Sequence, residues 1–150
     1  MIARTIRIYL DTCCLGRLYD DDAQERVRLE AEAVEDVVCR IGLGEIILVV
    51  SNVLLAETKR DPSPDRQERS QVVLDMATMY VDLDDVDMCR AKQLHEMGFG
   101  EIDAMHIVAA EKTNCDAFLT TDDQLIRRAS RYNKLLQVRV INPADWVRES

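Results

Sequence analysis

The sequence has no apolar run approaching the ~20 residues that a bilayer span requires. Its N-terminal stretch "MIARTIRIYLD" is too short in apolar residues to read as a signal peptide, and it leads directly into an acid. The expectation is a cytoplasmic protein with no membrane partner. A paired cysteine framework is also missing. The five cysteines are odd in number, Cys13 and Cys14 are adjacent, and Cys39, Cys89 and Cys115 are scattered with no CxxC. That pattern argues against a disulfide scaffold or a structural zinc site. Two histidines are too few for a zinc or acid–base argument built on imidazole. Basic residues are outnumbered, 19 against 28 acids, for a net charge of −9. This excludes a chain coated in positive charge for nucleic acid. It leaves room for an acidic centre that recruits cations, which in turn attract phosphate. No internal repeat or low-complexity segment is present.

What remains fits one domain over residues 1–150: 150 residues, 47% of them hydrophobic, can bury a sizeable core. Apolar periodicity predicts strands at Ile6–Leu10, Ile46–Val50, Tyr80–Leu83, Ala117–Thr120 and Val138–Ile141. Helices are predicted at Glu25–Ile41, Val53–Lys59, Gln71–Met79, Asp85–Met97, Asp103–Thr113 and Asp122–Arg131. On the first helix Leu29, Ala33, Val37 and Ile41 recur every four residues, with Val34 and Val38 beside them. "RDPSPDRQERS" (60–70), with two of the three prolines, reads as a loop. Strands alternating with helices imply an α/β fold with a mostly parallel central sheet. Such sheets bind ligands beyond the carboxyl ends of their strands.

Acids stand at those ends. Asp11 follows the first strand in "IYLDTCCL", and Asp122 and Asp123 follow "AFLTT". Glu57 sits in the short helix after the second strand, and Asp103 opens the helix "DAMHIVAAE". Clustered carboxylates repel one another unless cations sit among them. All-oxygen ligands suit Mg²⁺ or Mn²⁺. Each acid also has an ordinary reading. Asp11 or Thr12 can cap the next helix, Thr121 and Gln124 have capping-box spacing, and Asp103 can be a helix-start acid.

Four stretches, "IYLDTCCL", "SNVLLAE", "EIDAMHIVAAE" and "DAFLTTDDQLI", together resemble the PIN-domain nucleases, including the VapC-type toxins of prokaryotic toxin–antitoxin pairs. That family places an Asp and a hydroxyl residue after the first strand and a Glu after the second. An Asp opens an apolar, Ala-rich helix, and a T-x-D follows the fourth strand. Asp11 with Thr12, Glu57, Asp103, and Thr120 with Asp122 fill these positions in order. The resemblance implies a three-layer α/β/α fold and a Mg²⁺- or Mn²⁺-dependent endoribonuclease that leaves a 5′-phosphate and a 3′-hydroxyl. It implies that Asp11, Glu57, Asp103 and Asp122 hold the metal. Thr12 would orient a carboxylate or a water, Thr120 would support the site, and Asp123 would support or replace Asp122. It further implies an RNA substrate, a cognate antitoxin and a homodimer.

Rival readings stay open beside it: a catalytically inactive PIN-like binding module, or an α/β phosphatase of another class. A cysteine phosphatase needs Arg six residues after its thiol, where this chain has Tyr19 and Asp20. A haloacid-dehalogenase-type phosphatase needs a second Asp at position 13, which is Cys13. The two thiols are therefore expected to be small packing residues. "DLDDVD" (82–87) reads as a solvated helix start. His106, three residues after Asp103, can reach a metal but more often such a histidine is satisfied beside the core. Trp146 is expected to be a packing anchor.

Overall fold

A computed structural model describes residues 4–18, 20 and 24–150. Residues 1–3 of the N-terminal stretch, and Tyr19 of the cysteine spacing, lie outside these. Among the described residues five strands alternate with eight helices. They run β1 (Ile6–Leu10), α1 (Thr12–Arg17), α2 (Glu25–Gly42), β2 (Ile46–Ser51), α3 (Asn52–Lys59), α4 (Pro64–Leu74), β3 (Met79–Val81), α5 (Asp85–Glu96), α6 (Glu101–Lys112), β4 (Ala117–Leu119), α7 (Asp123–Arg131), β5 (Val140–Ile141) and α8 (Pro143–Glu149).

The strands form one sheet in the order β3-β2-β1-β4-β5, and every pair is parallel. β1 is central, with Ile8 level with Leu48 of β2 on one side and Ala117 of β4 on the other. Ile8, Tyr9, Leu10, Leu48 and Phe118 are fully buried, as strands covered on both faces must be. The chain steps away from β1 through β2 to β3, then crosses back to β4. Right-handed crossovers therefore place the helices of the two halves on opposite faces. The packing agrees: α1 contacts α2 and α4, and α2 contacts α8, whereas α5 packs on α6. The result is the expected three-layer α/β/α sandwich. The direction of winding reverses between β1 and β4, and this leaves a crevice at their carboxyl ends. Among the described residues no helix is long and apolar enough to cross a membrane.

Several local expectations are corrected. Of residues 60–70 only 60–63 form a loop, because α4 begins at Pro64. The Ser63 hydroxyl accepts from Arg66 N, and Pro64 occupies a position whose N–H has no helical partner anyway. The helix expected at Gln71–Met79 accordingly starts earlier and ends at Leu74. The α2 stripe runs through Glu30, Ala33, Val34, Val37 and Ile41, while Leu29 is exposed. At α7 the cap is Asp122, not Thr121. α8 was not foreseen; it uses the same start signal as α4, an Asn142 cap followed by Pro143. "DLDDVD" is the capping box of α5, with Asp84 and Asp87 exchanging backbone hydrogen bonds and Lys112 2.6 Å from Asp87. Trp146 is buried under the Arg40 guanidinium, 5.2 Å from its ring centre.

Glu30 explains the slipped stripe. It is 1% exposed and accepts hydrogen bonds from Arg17 of α1 at 2.9 Å, from Arg26 one turn earlier and from the Asn142 amide. One carboxylate thus ties α1, α2 and the start of α8 together. Charge-assisted hydrogen bonds of this kind contribute about 1.5–3 kcal/mol each, and their donors lose their partner together. Glu30→Ala is expected to cost about 2–3 kcal/mol, measured as a lower urea-unfolding midpoint at unchanged slope.

Candidate metal centre

The crevice is built from β1 outward. Asp11 N–H donates to Leu119 O at 3.0 Å, extending the β1–β4 ladder by one rung. The chain then turns into α1, and Asp11 becomes its cap: Oδ1 accepts from Thr12 N at 2.8 Å. Oδ2 accepts the Thr120 hydroxyl at 2.8 Å. That hydroxyl oxygen accepts from Asp122 N at 3.2 Å, so Thr120 links the ends of β1 and β4 to the start of α7. Asp11 is buried. Burial raises its pKa and the Glu57 charge adds to the rise, while His106, Thr120 and Cys13 oppose it.

Glu57 reaches the crevice from α3, whose first turn is set by the Ser51 hydroxyl accepting from Leu54 N at 3.0 Å. Glu57 is half-buried, and Oε1 lies 3.0 Å from His106 Nε2. Burial works against its charge, but the His106 hydrogen bond and field, the Thr12 side chain and Arg60 outweigh it. Its carboxyl is held below the ordinary range. One oxygen each of Asp11 and Glu57 and one ring nitrogen of His106 lie within 4.8 Å of one another.

Asp103 lies in the first turn of α6, after Gly100 at the cap. A methyl group at Gly100 would sit 3.2 Å from Asp103 Oδ2. Burial, then the charges of Asp11 and Asp122, push Asp103 up to about 6. This coupling puts Asp103 and Asp122 in the field of the same cluster. Asp122 is exposed and commits Oδ1 to the amides of Gln124 and Leu125. Asp123 turns the other way. Both of its oxygens bind Arg26 of α2, at 2.7 and 2.9 Å, which holds its pKa down.

The thiols pack as expected. Cys14 is buried, with Sγ donating to Leu119 O at 3.3 Å, and Cys13 Sγ accepts from Thr121 N at 3.3 Å. The residue that counting acids missed is His106, which is completely buried. Its position three residues after Asp103 on one helix face was the available signal.

A divalent cation fits this arrangement. The donors are mostly carboxylate oxygens, Asp11 is buried with a raised pKa, and Asp103 is pushed up by burial and then by like charge, the second of which a cation would relieve. Beside the cluster an open groove is lined by Thr12, Glu57, Arg60 and Arg66 together with Asp20 and Asp61, the last paired with Arg66 at 3.1 Å.

A family model described as PIN domain matches residues 8–131. A comparison with curated proteins finds no match. Among solved structures, VapBC2 from Rickettsia felis, bound to a DNA fragment from their promoter, superposes with a TM-score of 0.58 at 12% identity, over 91% of this chain and 98% of that one. FitAcB from Neisseria gonorrhoeae gives 0.58 at 16% identity, over 91% and 97%. PAE2754 from Pyrobaculum aerophilum gives 0.54 at 15% identity, over 96% and 89%. These likenesses extend the shared fold over nearly the whole chain.

The raised Asp103 pKa has a signed consequence. In the unfolded chain Asp103 ionises near its ordinary 3.8, but in the folded protein only near 6. Stability therefore falls as pH rises through that window, and the penalty is complete above it. With divalent cations chelated, Asp103→Asn is expected to melt higher than wild type above pH 6, with the advantage gone below about pH 4. A circular-dichroism melting series across this range measures the difference.

Proposed function

Because the chain belongs to the PIN domain family, we propose that it is a Mg²⁺- or Mn²⁺-dependent endoribonuclease, the toxin of a type II toxin–antitoxin pair. The observation that carries this reading is the gathering of Asp11 and Glu57 at the carboxyl ends of the sheet, with Asp103 pushed up to about 6 by burial and by the neighbouring charges. Asp103, 92 positions after Asp11, feels the charges of Asp11, Asp122 and Glu57, which supports counting all four acids in one site.

In this reading Asp11, Glu57, Asp103 and Asp122 hold the ion. When bound, Mg²⁺ or Mn²⁺ supplies positive charge against the scissile phosphate and against the charge that develops during in-line hydrolysis. The protein's own groups prepare the place. Thr120 donates to Asp11 Oδ2 and favours its ionised form, while Thr12 supports Glu57. Asp123, clamped by Arg26, steadies the first turn of α7 on which Asp122 stands. Arg60, in the groove beside Glu57, offers a contact for an RNA phosphate in a protein of net charge −9. The fold shared with VapBC2 and FitAcB supports a cognate antitoxin as partner. The homodimer and the cytoplasmic location rest on the resemblance to VapC-type toxins alone.

The test is cleavage of single-stranded RNA by the purified protein with Mn²⁺. Cutting is expected to stop on chelation. Asp11→Asn is expected to reduce it to below roughly one hundredth while the protein stays folded. Undiminished cutting by folded Asp11→Asn would contradict the assignment. Metal binding with no cutting would favour a binding module, and phosphate release from small esters alone would favour a phosphatase.

A further inference from the structure

Behind Glu57 lies a buried chain of polar groups that the proposed reaction leaves unused. Glu57 Oε1 lies 3.0 Å from His106 Nε2. His106 Nδ1 lies 2.6 Å from the Tyr9 hydroxyl, which lies 2.6 Å from the Ser51 hydroxyl. Ser51 Oγ in turn is 3.0 Å from Leu54 N. Tyr9 and His106 are fully buried and Ser51 is 1% exposed, so none of these protons is shared with bulk water.

The one fixed donor, Leu54 N–H, and the polar neighbours among the described residues point the protons of this chain in one direction. Leu54 N–H can only donate, so Ser51 Oγ accepts from it. The other neighbour of Ser51 Oγ is Tyr9, so Ser51 passes its own proton to the Tyr9 oxygen. A phenol keeps its proton at neutral pH, so Tyr9 has one to donate. That proton goes to the remaining neighbour, His106 Nδ1. Nδ1 is thereby an acceptor, and in the neutral ring the hydrogen then resides on Nε2. The Glu57 carboxylate, 3.0 Å away, is the acceptor there. The reverse polarity would leave the Ser51 proton without an acceptor in a dry interior, which is costly.

We propose that His106 is a positioning residue and not a metal ligand: it donates through Nε2–H to Glu57 and fixes that carboxylate toward Asp11, with its tautomer set from behind by Tyr9 and Ser51. A nitrogen that carries hydrogen has no lone pair for a cation. The site therefore offers oxygen ligands alone, which suits Mg²⁺ or Mn²⁺ over the nitrogen-seeking zinc, copper and nickel ions. The ring is also held mechanically, with Phe118 6.2 Å from His106 and stacked on Tyr9 at 5.3 Å. Both ends of the chain meet on α3. Ser51 caps that helix and Glu57 rides on its last turn, so the cap and the carboxylate are set as one unit.

The effect on activity rests on the metal-dependent reading above, but the first readout does not. Long-range ¹H–¹⁵N correlation spectra of the metal-free protein report the tautomer directly. The Nε2–H form is expected for His106, and the Nδ1–H form would overturn the proposal. Two substitutions then separate the roles in Mn²⁺ titrations. His106→Gln keeps a donor near Nε2, and His106→Asn keeps only the acceptor for Tyr9. Both are expected to lower the melting temperature. Only His106→Asn is expected to weaken Mn²⁺ binding, by about 10–100-fold. Equal losses in both, or a directly bonded imidazole nitrogen in the electron spin echo spectrum of Mn²⁺-loaded wild type, would overturn it. A wild type that binds no Mn²⁺ counts against the metal reading of the site, while the tautomer measurement decides the role of His106 on its own.

Discussion

Mutual repulsion among carboxylates is the constraint on which the rest of this structure depends. Asp11, Glu57 and Asp103 are each at least half-buried in the same crevice, and the burial and neighbouring charge that raise Asp103 to about 6 measure the strain. A chain selected only for stability would separate these groups. This chain fixes them in place. Thr120 and the Thr12 amide grip the two oxygens of Asp11, and His106 and Thr12 grip Glu57. The parallel sheet makes the grip possible. Its winding reverses between β1 and β4, so the strand ends bearing Asp11 and Thr120 lie side by side.

The remaining charge is organised to keep other acids away from the centre. Glu30 is neutralised by Arg17 and Arg26, Asp123 by Arg26, and Glu111 by Arg90. Arg26 spans Glu30 and Asp123, so the helix that buttresses β1 and the helix that begins at Asp122 are locked to each other. The strongly negative total is therefore only partly a property of the crevice. Much of it is paired or solvated on helix starts such as Asp84 and Asp87 of α5.

Most of the fold was legible because buried parallel strands leave continuous apolar runs, and "IRIYL" and "IILVV" have no other comfortable home. Two errors share a cause. Pro62 and Pro64 read as loop residues and α8 went unread, yet Pro64 and Pro143 follow Ser63 and Asn142 and open helices. The four acids were legible as an ordered set: Asp11 and Asp122 follow strands, Asp103 lies in the first turn of a helix, and Glu57 sits in the short helix after β2. Their partners were not. Arg26 meets Asp123 across 97 residues, and Tyr9 meets His106 across the same separation. Neither pairing leaves a local pattern. Glu30 hid inside an apparently apolar periodicity that a shift of one residue, from Leu29, made polar.

The central claim is that this carboxylate cluster is a site for a divalent cation. Anomalous scattering from a crystal grown with Mn²⁺ tests it most directly. The account predicts a peak about 2.1 Å from carboxylate oxygens of Asp11 and Glu57, within reach of Asp103, with His106 still bonded to Glu57. A crystal with no peak there, or with its only peak on the exposed acids of α5, would contradict it.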